Sequence, residues 1–248
     1  MLDYDKEAAV YDASRGGEAR ARAAADAVLG LVPVTAGRLL DLACGTGLVT
    51  RRLAESRPGL RVTGCDLAPA MVRLAAGRLP GAVVRADSRR LPFPGGTFDA
   101  VTSVWLLHLL EDPAEVGAVL GECARVLRPG GVYVTTVDKA AAHDVGSDID
   151  AVLAPRPRPP AKDAAAAVVD HAARYGLLPA GRTVFTGLGQ GRSPRSTIAD
   201  LRRGWYSLFP PGDPRAEHFA ARLATLPDQD RRRPDPRFGV RSFRKTTA

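Results

Sequence analysis

A glycine turn and a carboxylate have the types and spacing that bind a nucleoside. Gly45-Thr46-Gly47 follows the apolar run 38–42 and precedes a helical pattern, so the backbone there can turn tightly and admit a ligand. Asp66 ends a second apolar run nineteen residues after Gly47, the spacing at which an acid accepts two hydrogen bonds from ribose hydroxyls. A charged residue at the end of a buried strand is otherwise costly. The pair predicts a nucleoside site, and the alternative is that Asp66 only caps the following helix.

The turn does not have the pattern of a phosphate site. Thr50 occupies the position of the third glycine in a dinucleotide fingerprint, and no basic residue lies in the turn. The segment also lacks the G-x-x-x-x-G-K-[ST] pattern of a phosphate-cradling loop. A nucleoside that carries an amino acid in place of phosphates fits these residues better.

Two histidines are candidates for proton transfer. His108 follows a predicted strand at the carboxyl edge of the sheet, where α/β proteins bind ligands, and an imidazole with a pKa of about 6.5 suits a general base. A structural histidine bonded to backbone is an equal alternative. His143 follows the next strand and is the second candidate, while His171 and His218 lie on predicted helices and are expected at the surface.

Large aromatic side chains concentrate between the last two predicted strands. Trp205, Tyr206 and Phe209 lie there and would form the roof of a pocket for a ring or acyl substrate. Trp105 would form the opposite wall. The alternative is ordinary core packing of a cap helix.

Alternating strands and helices must position these residues. Apolar runs predict strands at 38–42, 61–66, 82–86, 98–104, 131–137, 183–186 and 238–244, and helical patterns occur at 17–31, 48–55, 69–78, 114–128, 161–176, 196–209 and 214–226. This alternation indicates an α/β fold with a mostly parallel sheet. The proline-rich residues 154–160 are predicted to be an extended connection.

Composition narrows the class of protein. The net charge is +8 and comes almost entirely from scattered arginines, so nucleic-acid binding is a minor alternative. Three cysteines are an odd number without metal-ligand spacing, so neither a disulfide framework nor a metal site is expected. No signal peptide and no apolar run near the ~18 residues of a membrane span are recognisable, which predicts a cytoplasmic protein.

The sequence resembles the class I S-adenosylmethionine-dependent methyltransferases, especially the small-molecule group with an Asp-x-Gly/Ala-Cys-Gly-Thr-Gly loop. The resemblance rests on Asp41-Leu42-Ala43-Cys44-Gly45-Thr46-Gly47, Phe98-Asp99-Ala100-Val101 and the segment 125–131, and covers residues 4 to about 137 well. Ala43 replaces the usual glycine. The family often has two adjacent histidines here, whereas this chain has His108 followed by Leu109.

The resemblance implies a set of cofactor contacts. Asp41 and the backbone of Ala43, Cys44, Gly45 and Gly47 would hold the methionine part of S-adenosylmethionine, and Asp66 would hold the ribose. The residues expected around the adenine and under the lid are Leu67, Met71, Asp87, the backbone amide of Ser88, Val104, Tyr11 and Arg15. A solvated loop carboxylate is the alternative for Asp87.

The resemblance also implies an architecture. We expect one domain over residues 1–248, a Rossmann-like sandwich with a mostly parallel seven-stranded sheet, an antiparallel last strand and helical cap insertions. Residues 1–35 would form a lid and helix, 36–137 the cofactor half, and 138–248 the substrate half with a cap at about 190–235. The protein would be a monomer or homodimer.

Three functions are compatible with these features. The first is methyl transfer to an oxygen, nitrogen or carbon of a small bacterial metabolite, in secondary metabolism. The second is an RNA methyltransferase that uses the arginines, although the chain lacks the Asn/Asp-Pro-Pro-Tyr motif of base-amine enzymes. The third is a non-methylating protein that keeps the cofactor, either a pericyclase or a regulator.

Overall fold

A single twisted sheet forms the centre of the molecule, in a computed structural model that describes residues 4–14, 16–155, 160–204, 209 and 212–247. Its strands are β1 (Arg38–Leu42), β2 (Arg61–Asp66), β3 (Val83–Arg85), β4 (Phe98–Ser103), β5 (Leu127–Val137), β6 (Leu177–Thr186) and β7 (Arg237–Lys245). They are arranged in the order β3-β2-β1-β4-β5-β7-β6. The first five strands are parallel, and β7 is antiparallel to both of its neighbours. The predicted Rossmann-like sandwich is confirmed.

Helices cover both faces of this sheet. They are α1 (Tyr4–Ser14), α2 (Gly17–Leu29), α3 (Leu48–Ser56), α4 (Pro69–Arg78), α5 (Pro113–Val126), α6 (Lys139–Ala142), α7 (Asp148–Leu153), α8 (Ala165–Ala173), α9 (Pro194–Arg202) and α10 (Pro214–Ala224). Alanines of α2 and leucines of α3 pack on one face of the sheet. Valines and alanines of α5 and α8 pack on the other. Burial of this apolar area is the main force that holds the sandwich together.

Three short helices form a separate cap. Ile149 and Leu153 of α7, Leu201 of α9 and Phe219 of α10 share one buried apolar cluster. The Arg192 guanidinium donates to the Asp150 carboxylate at 2.5 Å and to the carbonyl of His143 at 2.8 Å, which joins the cap to the chain after β5.

The predicted elements differ from the observed ones mainly after residue 126. β5 begins at Leu127 and not at residue 131, because Leu127 pairs with Phe98 before a register shift, and Gly130 at φ +73° lets the strand continue. β6 begins at Leu177, six residues before the predicted strand, since Pro179 and a register shift obscure its alternation. The short helices α6 and α7 were not predicted.

Candidate active site

The glycine turn and Asp66 lie against each other at the carboxyl ends of β1 and β2. The Asp66 carboxylate accepts a hydrogen bond from the Gly45 amide at 2.8 Å through one oxygen, and from the Ala68 amide at 2.9 Å through the other. The bond to the Ala68 amide ties Asp66 to the residue before α4, as the capping alternative expected, whereas its role toward a ribose stays a prediction. Burial raises the pKa of Asp66, against the opposing effect of these backbone amides.

The turn needs three residues in the left-handed region. Ala43, Gly45 and Gly47 have φ angles of +51°, +57° and +82°. A Cβ atom at Gly47 would lie 3.0 Å from Ala75 in α4, so glycine is required there by packing as well as by conformation. At Gly45 a Cβ atom would meet no heavy atom of the described residues within 4 Å, so this side of the turn is open to a ligand.

Asp41 lies buried beneath the turn. Its side chain is 2% exposed and accepts a hydrogen bond from the Thr50 hydroxyl at 2.6 Å. Burial, opposed by the Thr50 hydrogen bond and reinforced by nearby Asp66, raises the pKa of Asp41 to about 7. A cationic ligand beside this carboxyl would favour its ionised form, because a positive charge nearby lowers the pKa of a carboxyl.

The side expected to hold adenine is formed by the start of α4 and the segment after β3. Leu67 is 55% exposed, whereas Met71 is buried with Ala8 and Ala70 under helix α1. Asp87 is half-buried and paired with Arg89 at 2.8 Å, and this pairing lowers the pKa of Asp87. Ser88 is half-buried in the same segment.

The N-terminal helix closes this side of the site. Tyr11 is half-buried, and its ring centroid lies 6.2 Å from that of Tyr4. Both rings pack against the buried cluster of Ala8, Ala70 and Met71. The other predicted lid residue, Arg15, lies outside the described residues.

Two of the predicted substrate-side residues meet at one aromatic ring. Trp105 follows β4 with a φ of +62°, and its amide donates to the Thr136 hydroxyl at 2.8 Å. The rings of Trp105 and His143 each lie 5.5 Å from the ring of Phe238. The Arg20 guanidinium lies 4.2 Å above the Trp105 ring. Phe238 of β7 thus contacts both Trp105 and His143.

The other predicted residues lie nearby or in the core. His108 is half-buried on a single 3-10 turn, Leu107–Leu109, after β4. Val104 is buried in the apolar layer beneath Trp105. Phe209 is 1% exposed and packs against Phe219 at 5.6 Å, so the core-packing alternative describes it. Trp205 and Tyr206 lie outside the described residues.

Three side chains that join the lid to the turn were not predicted from the sequence. These are Asp12 of α1, Thr46 in the turn and Arg78 at the end of α4. The hydrogen bond that the Thr50 hydroxyl donates to Asp41 was not predicted either. The position of Thr50 one helical turn after Gly47 was the available signal.

The described part of the chain has neither a metal-binding cluster nor a membrane-spanning helix. No cluster of three or more histidine, cysteine, aspartate or glutamate side chains there could bind a metal ion. Among the same residues, no helix has the length and apolar character that crossing a membrane requires.

The family comparison matches the segment that contains this geometry. Residues 40–135 match the sequence profile of a family described as a methyltransferase domain. The match covers less than half of the chain, so it shows that this segment is similar to a methyltransferase domain. S-adenosylmethionine is the cofactor of such a domain.

The matches to curated relatives extend over only part of each protein. A demethylmenaquinone methyltransferase of Thermus thermophilus is 43% identical over 102 residues, which are 39% of this chain and 45% of that protein. A ubiquinone biosynthesis O-methyltransferase of Xanthomonas oryzae pv. oryzae is 35% identical over 144 residues, or 53% and 57% of the two chains. The chain therefore spans about half the length of these methyltransferases.

Solved structures extend the likeness of fold to nearly the whole chain. A putative methyltransferase in complex with the Haloferax volcanii Trm112 activator has a TM-score of 0.61 at 21% identity, covering 99% of both chains. The [4+2]-cyclase SpnF has a TM-score of 0.61 at 20% identity, covering 99% of this chain and 94% of its own. At these identities the likeness concerns the fold alone.

The residues around the turn fit S-adenosylmethionine. The open side of Gly45 lets a ligand approach the backbone closely. The buried carboxyl of Asp41 can accept a hydrogen bond from an ammonium group. The carboxylate of Asp66 can accept hydrogen bonds from hydroxyls. No arginine or lysine lies between residues 39 and 50, which suits a ligand without phosphates. The donors and acceptors present therefore match an aminoacyl nucleoside.

Proposed function

We propose that this protein transfers the methyl group of S-adenosylmethionine to an oxygen, nitrogen or carbon atom of a small metabolite, in bacterial secondary metabolism. The observation that carries the proposal is the hydrogen bond between Asp66 and Gly45, within a segment that matches a methyltransferase domain. The named relatives that act in quinone biosynthesis support a small-molecule acceptor.

The proposed cofactor residues bind and orient S-adenosylmethionine. Asp66 and the backbone around Gly45 hold the nucleoside, and Asp41 accepts from the ammonium group of the methionyl part. Tyr11 and helix α1 keep water from the adenine side, with Leu67, Met71, Asp87 and Ser88 as adenine contacts. When bound, S-adenosylmethionine supplies a methyl group on a positively charged sulfur. Fixing a nucleophile in line with such a group lowers the barrier by about 7–11 kcal/mol in well-oriented systems.

The proposed acceptor site lies between the sheet edge and the cap. Trp105 is proposed as one wall, whereas the aromatic contacts predicted at Trp205 and Tyr206 lie outside the described residues. Phe209 belongs to the buried cluster of the cap. His108 is proposed to take the proton that the acceptor atom loses on methylation, and His143 is the second candidate.

Replacing His108 by glutamine is expected to slow methyl transfer. At saturating substrate the rate should fall about 10²- to 10⁴-fold, the usual contribution of a general base, while the Kd for S-adenosylhomocysteine stays unchanged. Single-turnover kinetics measures the rate. The control is His218→Gln, because His218 is exposed on α10. Equal rates for both variants would remove His108 from the chemistry.

Methyl-labelled S-adenosylmethionine tests the function itself. The chain is incubated with separate small-molecule and RNA fractions of a bacterial extract, and label is expected only among the small molecules. Label in RNA would favour the alternative in which the arginines bind phosphates, with an affinity that falls steeply with salt. Cofactor binding without transfer to either fraction would favour a non-methylating protein such as a pericyclase.

A further inference from the structure

Three elements meet in a closed ring of hydrogen bonds beside the glycine turn. The Thr46 hydroxyl donates to one carboxylate oxygen of Asp12 in α1 at 2.6 Å. The Arg78 guanidinium donates to the other Asp12 oxygen at 2.7 Å and to the Thr46 carbonyl at 2.6 Å. Each of the three residues therefore contacts the other two.

The ring fixes the peptide that the ligand must approach. Thr46 is 3% exposed and lies between two glycines that have positive φ angles, where the backbone has the most freedom. Its carbonyl is held by Arg78, and the amide of Gly45 is held by Asp66. The turn is thus restrained from both sides, once through the sheet and once through helix α1.

The same helix is fixed at its other end. Asp5 accepts a hydrogen bond from the Ala70 amide at 2.7 Å, which caps the start of α4 from a different helix. Ala8 packs between these two polar anchors, against Ala70 and Met71. Helix α1 therefore leaves the site only when carboxylate contacts at both ends break.

We propose that Asp12 and Arg78 are positioning residues that lock the glycine turn to helix α1 and thereby set how long the cofactor stays bound. This rests on the proposed function, because it concerns the same cofactor site. Neither side chain is proposed to touch the reacting atoms. They slow release of the cofactor by holding the Thr46 peptide in place and by keeping helix α1 closed over the site.

Arg78→Gln and Asp12→Asn test the lock. Each variant should release S-adenosylhomocysteine about tenfold faster in a stopped-flow displacement experiment, because a charge-assisted contact between lid and turn is lost. The matched control is Arg73→Gln, since Arg73 is exposed on the same helix and has no ion pair within the described residues. Arg78→Lys should restore part of the slow release by keeping the charge.

Two further readouts separate a lock from general loss of structure. The double variant should release the ligand no faster than the single variants, because both remove the same ring. Raising the salt from 0.05 to about 0.5 M should speed release from the unmodified protein and leave Arg78→Gln nearly unaffected. Equal release from Arg78→Gln and Arg73→Gln would overturn the lock.

Hydrogen exchange tests the lock without any cofactor. The amides of α1 should exchange about tenfold faster in Arg78→Gln than in Arg73→Gln, while those of α5 remain equal. Failure of the unmodified protein to bind S-adenosylhomocysteine would overturn the proposed function, and the exchange experiment would still decide the lock. Unchanged exchange in α1 would overturn it.

Discussion

Replacement of Asp66 by alanine is expected to weaken the binding of S-adenosylhomocysteine at least about a hundredfold. The carboxylate would accept two ribose hydroxyls, and hydrogen bonds to a charged group contribute about 1.5–3 kcal/mol each. The variant also loses the bond that holds the Gly45 amide at 2.8 Å. Isothermal calorimetry measures the Kd directly.

Asp26→Ala is the matched control for this prediction. Asp26 lies exposed on α2, so its removal should leave the Kd unchanged within about twofold. Near-ultraviolet circular dichroism checks that both variants keep native packing. An Asp66→Ala protein that is folded and binds within about threefold of the original would show that the carboxylate does not hold the nucleoside.

Asp41 is expected to make the stability of the ligand-free protein depend on pH. Burial raises the pKa of its carboxyl to about 7, whereas the unfolded chain has the ordinary value of 3.8. Between these values the unfolded state has lost the proton that the folded state still binds, so the free energy of unfolding falls as the pH rises. The full loss would be about 4 kcal/mol, at 1.36 kcal/mol for each pH unit.

Urea unfolding of Asp41→Asn measures this effect. Relative to the unmodified protein, the variant should gain stability as the pH rises from about 4 to 7 and gain no more above that range. Asp26→Asn, exposed on α2, should show no such trend. A constant difference between Asp41→Asn and the original protein across this pH range would contradict the buried, protonated carboxyl.

The same carboxyl should couple cofactor binding to protons. A cationic ammonium beside Asp41 favours its ionised form, so binding below pH 7 should release a proton. Calorimetry of S-adenosylmethionine binding in two buffers of different ionisation enthalpy detects that proton. The affinity should rise with pH up to about 7 and be flat above it, and Asp41→Asn should remove this dependence.

Local patterns made the first half of the chain predictable. β1, β2 and α4 were predicted at their observed bounds, because buried parallel strands are continuous apolar runs and Pro69 marks the helix start. Gly45 and Asp66 were predicted to belong to one nucleoside site, but the hydrogen bond between them was not predicted.

Contacts between distant segments were not predictable. Asp12 and Arg78 are 66 residues apart, and nothing in their local sequence pairs them. The edge strand β6 was predicted too short, because exposed residues with a proline inside the strand lack the usual alternation. Phe209 could not be distinguished from a pocket residue, since apolar side chains in a cap core and in a pocket have the same sequence pattern.

The most direct test is calorimetric titration of the purified chain with S-adenosylhomocysteine, with NAD titrated in parallel. The arrangement of Asp41, Gly45 and Asp66, in a turn without a phosphate-binding residue, predicts one S-adenosylhomocysteine per chain and no measurable binding of NAD. A folded protein that binds NAD, or that produces no heat with S-adenosylhomocysteine, would contradict it.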